Sequence, residues 1–169
     1  TNPPDNITVV VVKVPESGEE LDRQLRELLE SVISSEEFVV SVDGSGTFAV
    51  LMSMGHEKST IRIFEYVTRK VTAIYQRIKE SGFSGFSVGV SDIHSGVREI
   101  WKLYGQALKA QEQSLYEGYD KVWFYANLSL GSAPANLDDI IENFTEEMHE
   151  GQIERARRGL ETAVENMYE

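Results

Sequence analysis

Apolar positions along the chain switch between two spacings, and the switches lay out the elements. Ile7 to Val14 is a β-branched run broken only by Lys13, the pattern of a central strand buried on both faces of a sheet. Ser17-Gly18-Glu19-Glu20 then has the form of a capping box, with the Ser17 hydroxyl meeting a free N–H and Glu20 reaching back. Leu21, Leu25, Leu28, Leu29 and Val32 follow at helical spacing and predict a first helix laid on one face of that sheet. Two apolar runs, Phe38 to Val42 and Thr47 to Met52, flank Asp43-Gly44-Ser45-Gly46 and predict a β-hairpin, since glycine supplies the positive φ of tight turns.

Beyond the hairpin, Ile61, Phe64, Val67, Val71, Ile74 and Ile78 recur every three or four residues as far as Gly82, a helix with a C′ glycine. Phe86, Val88 and Val90 alternate with Ser87, Gly89 and Ser91, the period of a half-buried strand. Ile100, Tyr104, Ala107, Leu108 and Leu115 predict a third helix that stops near Gly118; Gly105 inside it costs ~1 kcal/mol against alanine. Val122 to Tyr125 reads as a last short strand. The resulting order, β-α-β-β-α-β-α-β, is an α+β class: a split β-α-β, ferredoxin-like or cyclase-like sheet with its helices on one face.

After residue 128 the pattern changes. Residues 129–137, containing Gly131 to Asn136 (GSAPAN), read as a linker between a domain at 1–128 and a helical pair at 138–169. Leu137, Ile141, Phe144 and Met148 form one apolar stripe, and Ile153, Ala156, Leu160, Ala163 and Met167 form another. Six acids and no Lys or Arg lie between Asp138 and Glu150. Such stripes need a surface, so Ile141, Phe144, Met148, Ile153 and Leu160 are candidate interface residues, and a homodimer is expected slightly ahead of an intramolecular hairpin.

Composition narrows the functional classes. The chain has 169 residues, a net charge of −12 and no cysteine, which removes disulfides, zinc ribbons and thiol nucleophiles. The charge argues against direct nucleic-acid binding by these residues, because Arg155, Arg157 and Arg158 are the only tight basic group. No apolar run approaches the ~18 residues of a membrane span, so a cytoplasmic location without membrane contact is expected. The chain opens on Thr1 without a signal-like segment, as a piece of a longer protein would. His56, His94 and His149 lack metal-ligand spacing; Asp92, His94 and Ser95 invite a triad reading, although a loop with an N-cap is the simpler one. Trp101, Tyr104, Trp123, Phe124 and Tyr125 are expected to be core with one exposed edge, or a partner surface.

The hairpin carries a family resemblance. Gly44-Ser45-Gly46-Thr47-Phe48 resembles the Gly-Gly-Asp-Glu-Phe hairpin of diguanylate cyclases, the GGDEF family, with the first Gly and the Phe kept. Phe86 to Ser91 resembles that family's later strand, and Tyr104-Gly105-Gln106-Ala107 through Gly118 to Tyr125 is similar to the degenerate GGDEF-like domain preceding the helix-turn-helix in some AraC-type bacterial transcription regulators, including response regulators. Active members hold divalent metal with carboxylates from the first strand and the hairpin turn. The resemblance puts Gly46 and Thr47 where two of those acids stand, leaving Asp43 in the turn and Glu16 beyond the first strand. The family's inhibitory product site, Arg-x-x-Asp, falls on Ser35 to Phe38, which has neither residue.

The resemblance thus implies no cyclase activity and no cofactor. It implies a regulatory or sensory domain that acts through ligand or partner contacts and dimerisation in signal transduction, reaching DNA through a further C-terminal domain. The alternative is a nucleotide-binding module or weak nucleotide enzyme. Asp43, Gly44, Ser45 and Gly46 are the candidate contacts for a small-molecule ligand of unknown identity, on the ground that backbone N–H groups at G-x-G can cradle a phosphate. An ordinary turn role for Asp43 and the glycines is the simpler account.

Overall fold

In the computed structural model, residues 6–15, 18–42, 44 and 46–129 are described. The strands are β1 (Asn6–Lys13), β2 (Phe38–Ser41), β3 (Thr47–Ser53), β4 (Ser87–Val90), the two-residue β5 (His94–Ser95) and β6 (Lys121–Phe124). The helices are α1 (Glu19–Glu30), α2 (Thr60–Glu80), α3 (Ile100–Gln111), α4 (Ser114–Glu117) and α5 (Tyr125–Ser129), with a 3-10 turn at Val97–Glu99. The sheet runs β2-β3-β1-β4-β6, with β5 added beside β1. All pairings are antiparallel except β4 with β6. This is the α+β, cyclase-like arrangement expected from the order of elements.

The β-branched run takes the centre because both of its faces are covered, with Val10, Val11 and Val12 fully buried. Odd and even positions feed two different cores. Val10, Val12 and Val14 join Phe48, Val50 and Met52 of β3 and Val88 and Val90 of β4, and are roofed by Leu25 and Leu29 of α1 and Val67, Val71, Ile74 and Ile78 of α2. Ile7, Val9 and Val11 point the other way and meet Leu103 and Ala107 of α3. The expectation of helices on one face is therefore corrected: α1 and α2 share one face, and α3 takes the other.

Local signals mostly held. Ser59 caps α2 by accepting from the Arg62 N–H at 3.4 Å. Gly82, at φ +82°, ends it by donating to the Lys79 carbonyl at 3.1 Å, a left-handed position that glycine occupies without strain. The capping box did not hold as expected. Gly18 is the N-cap of α1, no side chain among the described residues caps it, and the Glu20 carboxylate turns to Arg23 and Gln24 instead; Ser17 lies outside the described residues. Arg23 also reaches Glu27, so the exposed face of α1 satisfies its own charges within the helix.

Three further expectations change. Leu115 is exposed, because the stripe of α3 ends at Gln111 and the chain turns before α4. Tyr125 opens α5 rather than closing the last strand. Strand β4 is buried on both faces, not one. Its polar-looking alternation of Ser87, Gly89 and Ser91 marks where α3 approaches closely: a β-carbon on Gly89 would lie 2.0 Å from the Ala107 carbonyl oxygen and 2.5 Å from the Gln111 nitrogen. Small residues there let helix and strand backbones touch.

Candidate functional site

The hairpin turn sits beside the C-terminal end of β1. Val42 donates to the Thr47 carbonyl at 3.0 Å, and the Val14 N–H donates to the Gly46 carbonyl at 3.0 Å, fastening the turn to the central strand. Gly44 and Gly46 have φ of +66° and +83°, values that favour glycine over other residues. Of the four candidate ligand contacts, Gly44 and Gly46 are thus placed together at this corner; Asp43 and Ser45 lie outside the described residues, as does Glu16.

Strand register brings four polar residues into one row at this end: Thr47, Lys13, Ser87 and Lys121. Thr47 and Ser87 are buried, and the Ser87 hydroxyl is already engaged by the Gln111 amide at 2.7 Å. Lys121 donates to the Glu117 carbonyl at 2.8 Å. Nearby, one Asp120 carboxylate oxygen accepts from the N–H groups of Gly85 and Phe86 at 2.8 and 3.2 Å, which ties the start of β6 to the start of β4. A divalent metal needs several anionic or carbonyl oxygens. This row offers two ammonium groups and two hydroxyls, a donor set that does not fit such a cation. Among the described residues no group of three or more His, Asp and Glu comes together that could hold a metal ion.

The place of the inhibitory product site is taken up structurally. Glu37 is buried, accepts from the Ser34 and Ser53 N–H groups at 2.9 and 3.2 Å, and pairs with Lys70 at 3.5 Å. Lys70 also donates to the Val32 carbonyl at 2.6 Å, so one ion pair joins the loop after α1, the hairpin and α2. Nothing in the sequence distinguished Glu37 from its exposed neighbour Glu36, because the partners that bury it are remote. Phe38, next along, is the first residue of β2 and is exposed.

At the opposite end of the sheet the triad reading fails. The Asp92 carboxylate is buried without a hydrogen-bond partner for either oxygen among the described residues, while its N–H donates to the Gln106 side chain at 3.1 Å. His94 Nδ1 lies 3.0 Å from the carbonyl of Ser95, the next residue, an arrangement that is not a relay to a nucleophile. Burial pushes the Asp92 carboxyl up to about 6, against smaller opposite pulls from Gln106 and the Lys102 charge. The adjoining Ser91 hydroxyl accepts from the Val9 N–H at 2.8 Å and donates to the Asp92 carbonyl at 2.8 Å, a strand-end knot that holds β4 to β1.

The aromatic group divides. Trp123 is fully buried, with its indole N–H unpartnered among the described residues, whereas Trp101 is 80% exposed. Trp101 borders an open groove of about 460 Å³ on the α3 face, between α3 and the β2–β3 hairpin. The five interface candidates, Ile141, Phe144, Met148, Ile153 and Leu160, lie outside the described residues, as do the linker from residue 130 and the expected helical pair. No described helix is long and apolar enough to cross a membrane.

Comparison with known proteins bears on the fold and the family. No curated protein matches the chain. Among solved structures, the active GGEEF domain of a diguanylate cyclase from Vibrio cholerae is similar, at 20% identity over 71% of this chain and 83% of that one, with a TM-score of 0.55. An EAL/GGDEF domain protein from M. capsulatus gives 16% identity over 73% and 85%, with a TM-score of 0.51. The GGDEF domain of DgcB from Caulobacter crescentus, in complex with c-di-GMP, gives 15% over 72% and 78%, with a TM-score of 0.50. These likenesses establish the fold. The model of the GGDEF-like domain family matches residues 2–112, more than half of the chain, and the chain belongs to that family.

Proposed function

We propose that this GGDEF-like domain is a non-catalytic regulatory or sensory part of an AraC-type transcription regulator, acting through contacts and self-association rather than phosphoryl transfer. The observation that carries this reading is the row Thr47, Lys13, Ser87 and Lys121 at the hairpin end of the sheet. Two-metal phosphoryl transfer requires carboxylates where nucleophile and triphosphate meet, so that metal neutralises the developing charge. Lysines and hydroxyls in that row supply none, and Gly46 presents its carbonyl to Val14. What remains to such a domain is to bias the orientation of whatever it is joined to, which is how a signalling module acts without chemistry.

The test is direct. Purified protein incubated with GTP and Mg²⁺ or Mn²⁺ is expected to release no pyrophosphate and form no cyclic dinucleotide. Turnover that disappears in Asp43→Asn or Glu16→Gln would overturn the non-catalytic reading. The same protein titrated calorimetrically with cyclic di-GMP is expected to show no heat of binding, since Ser35 and Phe38 offer neither guanidinium nor carboxylate. The regulator assignment is checked by reading the gene onward from Glu169 for a helix-turn-helix.

A further inference from the structure

The groove beside α3 is open and apolar. Its floor and walls are Phe38, Val40 and Val42 of the hairpin, Leu51 of β3, and Ile100 and Trp101 of α3, almost without polar groups. Phe38 and Val40 are 59% and 54% exposed, a concentration of apolar surface that soluble proteins seldom leave bare. Its origin is geometric: α3 lies over β1 and β4, close against Gly89, and one helix is too narrow to reach β2 as well.

We propose that residues 137–148 form an amphipathic helix that lies in this groove of the same chain, with Leu137, Ile141, Phe144 and Met148 against the hairpin and Trp101. Three observations favour this occupant. The stripe spans 11 residues, about 16 Å of helix at 1.5 Å per residue, and the exposed side chains of residues 38 to 42 span about 13 Å of strand at 3.3 Å per residue; the two lengths match. The last described helix, α5, packs on α3, the same helix that walls the groove. Residues 130–136 can bridge up to about 23 Å, more than the roughly 19 Å of the four strand spacings between β6 and β2.

Charge agrees with this placement. Arg98 of the 3-10 turn and Lys102 of α3 are exposed on either side of Trp101 in the sequence, with Glu99 half-buried between them, and the acids flanking the stripe include Asp138 and Glu147. A small apolar ligand would fill part of the groove but leave the stripe uncovered. Self-docking covers both surfaces at once. This goes beyond the regulatory reading, and it stands or falls whether or not GTP is turned over.

The absence of cysteine gives a clean background for the test. In the full 169-residue chain, Val40→Cys with Phe144→Cys should form an intramolecular disulfide under mild oxidation, seen as a faster-running monomer on a non-reducing gel, because a disulfide demands close β-carbons. Val40→Cys with Glu146→Cys, on the opposite helical face, should not. A disulfide-linked dimer from the first pair would overturn the proposal in favour of a second copy, and equal linking by both pairs, or by neither, would overturn it outright. An independent readout is acrylamide quenching of Trp101, which should rise several-fold in Ile141→Asp/Phe144→Asp while thermal melting of the sheet is retained. Unchanged quenching in that folded variant would also sink the idea.

Discussion

The two faces of the sheet solve the same burial problem in opposite ways. Beneath α1 and α2 the contacts are large and aliphatic, with Leu25, Leu29, Ile74 and Ile78 meeting Val10, Phe48, Val50 and Met52. Beneath α3 they are small, close and partly polar: Gly89 touches the helix backbone, Ser87 binds Gln111, and the buried apolar residues of the helix are Leu103, Ala107 and Ala110. Two helices can roof five strands with bulky side chains. A single helix must come closer to its strands, and it leaves the hairpin side open. The contrast teaches that small residues in a strand can mark a helix contact as surely as large ones do.

This contrast can be broken by substitution. The largest effect is expected at Gly89→Ala: the added carbon meets backbone, which cannot rotate away, so α3 must shift and the chain should lose at least about 4 kcal/mol in urea unfolding. A loss below about 1 kcal/mol would mean that α3 floats and the close contact is incidental. On the other face, Ile74→Ala removes a buried side chain among flexible neighbours and should cost about 3 kcal/mol, with the usual ~2–5 spread that reflects how far the cavity relaxes.

Asp92 sharpens the comparison through pH. Its carboxyl titrates near 6 in the folded protein instead of the ordinary 3.8. Between those values the unfolded chain has lost the proton and the folded one retains it, so stability falls as pH rises through the interval and stays lower above it. About two pH units is worth roughly 3 kcal/mol before solvent screening and about 1–2 after it. Asp92→Asn should therefore be more stable than the parent by about 1–2 kcal/mol at pH 7.5 and gain little at pH 4. Equal gains at both pH values would show that the carboxylate is solvated. The smallest effect belongs to Ser87→Ala, which orphans the Gln111 amide and should cost about 1 kcal/mol without changing cooperativity.

Periodicity made the first face legible. The stripes of α1 and α2, the β-branched centre and the hairpin glycines are local signals, and each was read from residues a few positions apart. The second face was hidden because its signal is a pairing of small groups far apart in sequence: Gly89 is explained only by Ala107, and Ser87 only by Gln111. Likewise the place of Glu37 is explained only by Lys70 and the Ser53 N–H, both remote in sequence. At the candidate site the positions of Gly44 and Gly46 followed from turn chemistry, whereas the row joining Lys13, Ser87 and Lys121 depended on strand register, which no local pattern in three separate strands specifies.

Of the strands of the sheet, the central one is also the first to be made. Val10 pairs with Val50 and with Val90, so its second neighbour appears only after about 80 more residues, roughly 4–16 s at 5–20 residues per second of synthesis. Through that interval a run of four valines, Val9 to Val12, has at most one edge covered, and segments of that kind are aggregation-prone. Non-local pairing of this sort slows folding. The arrangement that gives the finished sheet its most protected strand therefore leaves that strand partly unpaired while the rest of the domain is still being synthesised.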